Sequence, residues 1–121
     1  VRTAKEIERA KAAVSAANLS CVILDERVET RANHVSAATM HLAKGLEFCA
    51  VVVMACDDEV IPLQERIETV SDDSELEEVY NTERHLLYVA CTRARDHLLL
   101  TCAGNSSEFI DDLGVIANAK T

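Results

Sequence analysis

The stretch CAVVVMAC at residues 49–56 is the longest uninterrupted apolar run in the chain, and it decides the fold class. Its consecutive valines are β-branched, which favours a strand over a helix. Apolar residues at consecutive rather than alternating positions are typical of a strand covered on both faces, as in parallel sheets flanked by helices. The run therefore predicts an α/β fold with a mainly parallel sheet.

The rest of the chain alternates further strands with helices. Apolar runs predict three more strands, at 21–24, 35–40 and 97–102, and the last of these is expected to be buried like 49–56. Apolar residues at helical spacing predict helices over 3–17 and 74–91, and a short last helix from 105 through about 113. Residues 25–34 are expected to form a loop, and 57–73 a loop or partial helix. This alternation is typical of layered α/β structures.

Capping residues mark the ends of the predicted helices. Thr3 followed by Glu6, and Ser74 followed by Glu77, are capping-box patterns, in which two side chains satisfy the free N–H groups of the first turn. Asn18 is expected to end the first helix, because Asn tolerates the left-handed conformation there.

Composition limits the function classes. The 121 residues, 49% hydrophobic and 27% charged, suffice for one compact domain. The net charge of −9 argues against a broad basic surface for nucleic acid. Acidic residues concentrate within 57–78, whereas Arg84, Arg93 and Arg95 lie close together, so a locally basic site remains open. No apolar run approaches the ~20 residues of a membrane span, and the N-terminus has no signal-peptide pattern, so we expect a cytoplasmic protein without a membrane partner.

The cysteines predict no metal or redox chemistry. Their number is odd, they form no C-x-x-C pair, and the histidines have no metal-ligand spacing with them. All lie in or beside apolar stretches, so we expect buried, reduced thiols of a cytoplasmic protein at Cys21, Cys49, Cys56, Cys91 and Cys102.

The segment TMHLAKGLEF at 39–48 carries chemistry beyond a core. It follows a predicted strand, and α/β folds bind ligands in the loops after strand ends. Gly45 would let the backbone approach a phosphate closely, and the carboxylate of Glu47 can accept hydrogen bonds from a ribose. On spacing alone, a polar turn capped by Gly45 remains the alternative.

The segment ERHLLYVACTRARDHLLL at 83–100 delivers arginines at the end of a helix, just before a predicted strand. Arg93 held there fits an arginine finger, which neutralises charge on a transferred phosphoryl group. The alternative is that Arg93 and Arg95 are solvated cations, which are favoured near a helix C-terminus in any case.

Together these segments resemble a known family. TMHLAKGLEF is similar to motif V, and TERHLLYVACTRAR to motif VI, of superfamily 1 helicases of the UvrD/Rep/PcrA type. VVVMACDDEVIPLQ resembles the strand and acidic-then-proline loop after motif V, and VRTAKEIERA the segment just after motif IV. The resemblance spans about residues 1–113. It implies that 1–121 is the C-terminal portion of a second RecA-like (2A) domain, a partial three-layer fold.

The resemblance also implies roles for individual residues. Arg93 matches the motif VI arginine that reaches the γ-phosphate of ATP, and Glu47 the motif V glutamate on the ribose. Lys44 and Gly45 match neighbours of the phosphates, and Tyr88 and Thr92 match residues that shape the site. Thr39 and His41 match positions facing single-stranded DNA. The implied parent is an ATP-dependent helicase of the kind used in DNA repair, moving 3′ to 5′ on single-stranded and duplex DNA.

Half of the implied machinery is absent from this chain. It contains no phosphate loop and no acidic motif for Mg²⁺. ATP and Mg²⁺ would therefore be held mainly by an N-terminal RecA-like domain of the parent, and the chain alone is expected to be inactive. A second reading, a noncatalytic α/β module that binds a protein through its acidic 57–78 segment and retains relic motifs, remains open.

Overall fold

The computed structural model describes residues 1–27 and 29–112 and has a mixed α/β architecture. The helices are α1 (Ile7–Ala16), α2 (Gln64–Glu68), α3 (Asp73–Cys91) and α4 (Glu108–Asp112). Short 3₁₀ segments occupy Ala4–Glu6 and Met40–Ala43. The strands are β1 (Cys21–Ile23), β2 (Val35–Ala37), β3 (Phe48–Val53) and β4 (Ala94–Leu100). The last predicted helix is thus present as α4, although Leu113, its expected end, lies outside the described residues.

The first helix begins and ends as the sequence predicts. The Thr3–Glu6 capping box is formed, with the Thr3 N–H donating to Glu6 Oε2 at 3.2 Å. Asn18 adopts a φ of 59°, and the Leu19 N–H closes the end on the Val14 carbonyl at 3.1 Å. The left-handed residue thus stops the helix and satisfies a carbonyl of its last turn.

The predicted capping box at Ser74 and Glu77 is wrong. Asp72 is the N-cap of α3, and its side chain accepts a hydrogen bond from the Glu75 N–H at 2.8 Å. The Glu75 carboxylate in turn accepts from the N–H and hydroxyl of Ser71. Asp and Ser are both favoured N-cap residues, and in this run the side chain that bonds to a free N–H of the first turn is that of Asp72.

The strands form two separate parallel sheets, not the single one expected. β1 pairs with β2, with Val22 opposite Ser36, and β3 pairs with β4, with Val53 opposite Leu100. The parallel direction predicted from the apolar runs is confirmed. A three-layer RecA-like arrangement stays a prediction.

Three strand boundaries differ from the prediction by three residues each, and the others by no more than two. β2 ends at Ala37 because the chain turns at Thr39 into a 3₁₀ segment, which buries Met40 in the core. β3 ends at Val53 because Ala55 takes a left-handed φ of 59°. β4 begins at Ala94, directly after the turn that ends α3.

A single hydrophobic cluster holds α3, β3 and α4 together. Phe109 is fully buried at its centre, with the Tyr80 ring edge-on at 5.8 Å and the Arg84 guanidinium 4.9 Å above its ring. The other buried members lie in the 3₁₀ segment after β2, at the end of β3, in the loop after β3, and in α3 and α4: Met40, Val53, Cys56, Ile61, Leu87, Ala90, Cys91 and Ile110. This cluster fixes the end of α3, where the segment similar to motif VI lies.

One face of the β3–β4 sheet is uncovered, contrary to the expectation that both strands are buried. Val52 and Leu99 pair in register and are 53% and 57% exposed. Val53 and Leu100 point to the other face, where α3 packs. Within the described residues no element lies over the Val52 face. Part of the apolar side-chain surface of β3 is therefore exposed in this part of the chain.

The cysteine expectation holds only in part. Cys56 and Cys91 are buried, Cys21 is half-buried, and Cys49 and Cys102 are exposed, all as free thiols. The Cys49 thiol, near the start of β3, donates to the Asp96 carboxylate at 3.2 Å. No helix in the described part of the chain is long and apolar enough to cross a membrane.

Candidate functional site

A cleft of about 890 Å³ lies between the edges of β2 and β3. Three of the residues singled out from the sequence line it, namely Thr39, Glu47 and Arg93. They come from separate segments, one after β2, one before β3 and one between α3 and β4. The fold therefore brings parts of both motif-like segments to one concave surface.

The motif V-like segment forms a compact turn between β2 and β3. Thr39 has an extended backbone and begins the 3₁₀ segment, with its carbonyl accepting from the Leu42 N–H at 3.1 Å. Gly45 takes a φ of 85°, which residues other than glycine rarely adopt. Nothing lies within 4 Å of the position its Cβ would occupy. Glycine is therefore needed for the backbone conformation, and the space beside it is open.

The motif VI-like segment closes the C-terminus of α3. The Thr92 N–H donates to the Tyr88 carbonyl at 3.0 Å, and its hydroxyl donates to the Val89 carbonyl at 2.9 Å. Arg93 Nε also donates to the Val89 carbonyl, at 3.1 Å, and Arg93 Nη2 to Thr92 Oγ1, at 3.3 Å. These bonds satisfy a carbonyl of the last turn and hold the guanidinium against the helix end.

A main-chain hydrogen bond joins the two segments. The Phe48 N–H donates to the Arg93 carbonyl at 2.8 Å, and Phe48 stands opposite Ala94 in the β3–β4 ladder. Glu47 and Arg93 thus immediately precede neighbouring parallel strands. A carboxylate and a guanidinium are held at the same edge of this sheet.

Arg93 differs from the arginines around it in its charge environment. Across residues 1–27 and 29–112 it has no carboxylate partner, and both of its side-chain bonds go to neutral oxygens. Arg95 instead donates to Asp96 at 3.3 Å, and Arg66 to Glu83 at 2.9 Å. Arginine carries five N–H donors, so the half-buried Arg93 retains donors and an uncompensated charge for an anion.

The remaining residues predicted from the sequence are close in sequence to residues that line this cleft, but they do not line it themselves. His41, Lys44 and Gly45 are exposed on the turn before β3, and Thr92 is exposed at the end of α3. Tyr88 is 56% exposed on α3. The structure therefore brings Thr39, Glu47 and Arg93 to one cleft, while the roles expected of all eight residues stay predictions.

The sequence reading missed a buried carboxylate at the centre of the fold. Glu83 accepts two bonds from Arg2, one from Arg66 and one from the Leu63 N–H, all within 2.9 Å. Burial alone would raise the pKa of Glu83, but these bonds outweigh it and hold that pKa below its ordinary value. A signal was available, because Glu83 shares the apolar face of α3 with Leu87, and an acid there predicts a buried cationic partner.

Comparison with known proteins matches a family over most of the chain. The model of the UvrD-like helicase C-terminal domain matches residues 2–105. A candidate ATP-dependent DNA helicase, YjcD of Bacillus subtilis, is 44% identical over 82 residues, which is 66% of this chain and 10% of YjcD. The ATP-dependent DNA helicase PcrA of Staphylococcus epidermidis is 41% identical over 86 residues, 71% of this chain and 11% of PcrA. The chain thus spans about a tenth of the length of these curated relatives.

A solved structure is also similar. The C-terminal domain of a candidate DNA helicase from Lactobacillus plantarum WCFS1 superposes with a TM-score of 0.58 at 26% sequence identity. The match covers 90% of this chain and 56% of the solved one. The similarity extends to the three-dimensional arrangement, and the solved domain contains structure beyond the part matched here.

Proposed function

Because this chain belongs to the UvrD-like helicase C-terminal domain family, we propose that it supplies one wall of the ATP cleft of a DNA helicase. The other wall, with the phosphate loop and the Mg²⁺ ligands, belongs to an N-terminal RecA-like domain of the parent protein. The chain is the C-terminal portion of the second RecA-like domain, and the parent moves 3′ to 5′ along one DNA strand in the cytoplasm.

The observation that carries this proposal is the state of Arg93. Its guanidinium is anchored through Nε and Nη2 to a rigid helix end, yet it lacks a carboxylate partner in the described residues. A cation fixed in position but not neutralised suits a ligand whose negative charge grows during reaction. The γ-phosphate of ATP is such a ligand, and one arginine contributes about 10³–10⁵ to phosphoryl-transfer rates in other systems.

Glu47 gives the same edge a second function. It is exposed and directly precedes β3, and Arg93 directly precedes the neighbouring strand β4. Glu47 would accept hydrogen bonds from the ribose hydroxyls, as acidic residues do in other nucleotide sites. The ribose would then contact the Glu47 carboxylate, and the triphosphate would contact the Arg93 guanidinium.

The other motif residues act around these two. Thr92 accepts a hydrogen bond from Arg93 Nη2, so it positions the guanidinium. Tyr88 shapes the same end of α3, and Lys44 and Gly45 approach the phosphates from the turn before β3. Thr39 and His41 face single-stranded DNA at the start of that turn. Since one short turn carries both DNA-facing and nucleotide-facing residues, a change in nucleotide state moves the DNA contacts directly.

The acidic 57–78 segment gives the protein-binding alternative little support. Asp57 is bonded to Arg9 and to the Ala103 N–H, Glu65 to Lys5, and Glu75 to Ser71. These carboxylates therefore serve the fold of the chain itself. No second function is favoured by a contact in this segment.

The proposal is tested by comparing this chain with its parent. Residues 1–121 alone should show no ATPase above background, with or without single-stranded DNA, because the phosphate loop and Mg²⁺ ligands are on the other wall. The parent protein should hydrolyse ATP, and single-stranded DNA should stimulate it. DNA-stimulated turnover by 1–121 alone, or a parent inert toward ATP, would refute the proposal.

A further inference from the structure

The β3–β4 ladder is irregular near its start. The register shifts by one residue between Phe48 and Ala50. As a result a single residue of β3, Cys49, faces two residues of β4, Arg95 and Asp96. Two residues opposite one form a β-bulge, a feature that is frequent beside active sites, where it changes the direction of a side chain.

The bulge changes the position of Arg93. If the pairing farther along the ladder continued without a bulge, Arg93 would stand opposite Leu46. With the bulge, the Phe48 N–H donates to the Arg93 carbonyl at 2.8 Å, and by that pairing Arg93 stands next to Glu47. A slip of one residue also turns a side chain to the other face of a sheet. The bulge therefore sets both the neighbour and the face of Arg93.

A side-chain hydrogen bond spans the two strands at the bulge. The Cys49 thiol donates to Asp96 Oδ2 at 3.2 Å. Arg95 Nε donates to the same oxygen at 3.3 Å, but Arg95 and Asp96 are consecutive in β4, so their ion pair does not join the strands. Their side chains are also 61% and 49% exposed, and ion pairs between exposed groups contribute little. Among the described side-chain contacts, the thiol–carboxylate bond therefore holds Asp96 opposite Cys49 and leaves Arg95 as the extra residue.

The helix before Arg93 is held in place by separate contacts. Leu87 and Ala90 anchor the end of α3 in the core. The Arg93 guanidinium donates to the Val89 carbonyl and to Thr92 Oγ1. The strand after Arg93 is held to β3 by its own ladder. The bulge therefore lies between two fixed parts of the fold and takes up one residue of chain between them.

We propose that Asp96 is a positioning residue for Arg93, acting through the bulge that the Cys49 thiol closes. The bond keeps Arg93 beside Glu47, so that the guanidinium and the carboxylate face one nucleotide, and Asp96 acts without contacting the nucleotide itself. The consequence for catalysis rests on the proposed function, because it requires that Arg93 stabilises charge on the γ-phosphate. The consequence for the ladder is independent of that function.

The ladder is tested by amide hydrogen exchange of residues 1–121, measured by NMR. Asp96→Ala removes the acceptor of the thiol bond, and Cys49→Ala removes its donor. Each should speed exchange of the Phe48 amide about tenfold, because a hydrogen bond to a charged group is lost and the bulge can open. The Thr101 amide, bonded at the far end of the same ladder, should stay protected and shows that each variant is folded.

Two further forms separate the bulge from the charge. Arg95→Ala removes the ion pair but keeps both partners of the thiol bond, so its Phe48 amide should exchange as in the wild type. Deletion of Arg95 from Asp96→Ala removes the extra residue, so a regular ladder forms without a bulge and slow exchange at Phe48 should return. If Arg95→Ala exchanges as fast as Asp96→Ala, or if the deletion leaves Phe48 fast while Thr101 stays protected, the proposal is wrong.

The effect on catalysis is measured as steady-state ATPase of the parent protein at saturating single-stranded DNA. Asp96→Ala should lower kcat about tenfold or more and leave the KM for ATP within about twofold, since a small displacement of a catalytic group slows the chemical step. Cys49→Ala should have the same effect. The double variant should be no worse than either single one, because both changes remove the same bond.

Arg93→Ala is measured beside these variants to tell two failures apart. Near-normal turnover by Arg93→Ala would refute the proposed function. Loss of turnover in Arg93→Ala with near-normal kcat in Asp96→Ala would refute only the positioning role of Asp96. Unchanged exchange at Phe48 in Asp96→Ala would refute that role whatever the ATPase rate, whereas faster exchange together with a lower kcat is the predicted result.

Discussion

Arg2 and Glu83, 81 positions apart in sequence, form a buried two-point ion pair. Arg2 Nε and Nη2 donate to Glu83 Oε1 and Oε2, each at 2.9 Å, and their side chains are only 7% and 0% exposed. Arg66 and the Leu63 N–H complete the shell of the carboxylate. The start of the chain, α2 with the residue before it, and the middle of α3 are therefore joined at one carboxylate.

Removing Glu83 should destabilise the fold strongly. Glu83→Ala leaves the Arg2 guanidinium buried without its counter-charge, and breaking a buried pair in this way costs about 3–5 kcal/mol. Urea unfolding followed by circular dichroism measures the loss. Glu65→Ala is the control, because Glu65 pairs with Lys5 on the exposed surface. If both variants unfold at the same urea concentration, the buried pair does not fasten the fold.

The contribution of Glu83 should depend on pH. Its pKa in the folded protein is lowered from the ordinary 4.5. The stabilisation is therefore complete above about pH 4.5 and is lost as the pH falls toward the folded-state pKa, where the carboxylate takes up a proton. The difference in unfolding free energy between wild type and Glu83→Gln should thus shrink as the pH falls from about 4.5 toward the folded-state pKa. A difference that stays constant over this range would contradict the assigned pKa shift.

Four of the five cysteines should react with iodoacetamide in two groups, one fast and one slow. Cys49 and Cys102 are exposed and should be alkylated quickly. Cys56 and Cys91 are buried, and burial raises the pKa of Cys56 to about 12, so little thiolate is available there. Mass spectrometry of timed samples at pH 8 distinguishes the groups, with a urea-unfolded sample as the control in which all five react. Fast alkylation of Cys56 in the folded protein would show that the core cluster is open.

Sequence patterns predicted the strands and helices of this fold more accurately than they predicted how deeply each strand is buried. The runs at 49–56 and 97–102 correctly indicated parallel strands, since a strand buried on both faces needs consecutive apolar residues. Yet Val52 and Leu99 are more than half exposed in this chain. Consecutive apolar residues are typical of a strand covered on both faces, but the pattern does not specify which element covers each face.

The site was predictable where a residue carries its own chemistry, and less so where it acts through partners. Glu47 and Arg93 drew attention as charges beside strand ends, and the structure holds them at one sheet edge. That Arg93 lacks a carboxylate within the described residues while Arg95 bonds to Asp96 is a property of three-dimensional contacts, which spacing alone does not contain. The Glu83 network was missed because its partners are distant in sequence.

Glu47→Gln in the parent protein should raise the KM for ATP about three- to tenfold, the effect of weakening one hydrogen bond. The kcat should change less, because a ribose contact is the same in the ground state and the transition state. Steady-state ATPase at saturating single-stranded DNA separates the two constants. Glu59→Gln, an exposed acid that does not line the cleft, is the control. A large fall in kcat with an unchanged KM would show that Glu47 acts in the chemical step and does not contact the ribose.

The central claim, that Arg93 stabilises charge on the γ-phosphate, is tested most directly by the ATPase rate of three variants of the parent protein. Arg93→Ala should lower kcat by about 10³ or more with little change in thermal stability. Arg93→Lys should restore little, because an ammonium lacks the planar fork that contacts two phosphate oxygens. Arg95→Ala, whose guanidinium is already bonded to Asp96, should retain most activity. Near-normal turnover by Arg93→Ala, or a greater loss in Arg95→Ala, would contradict the account.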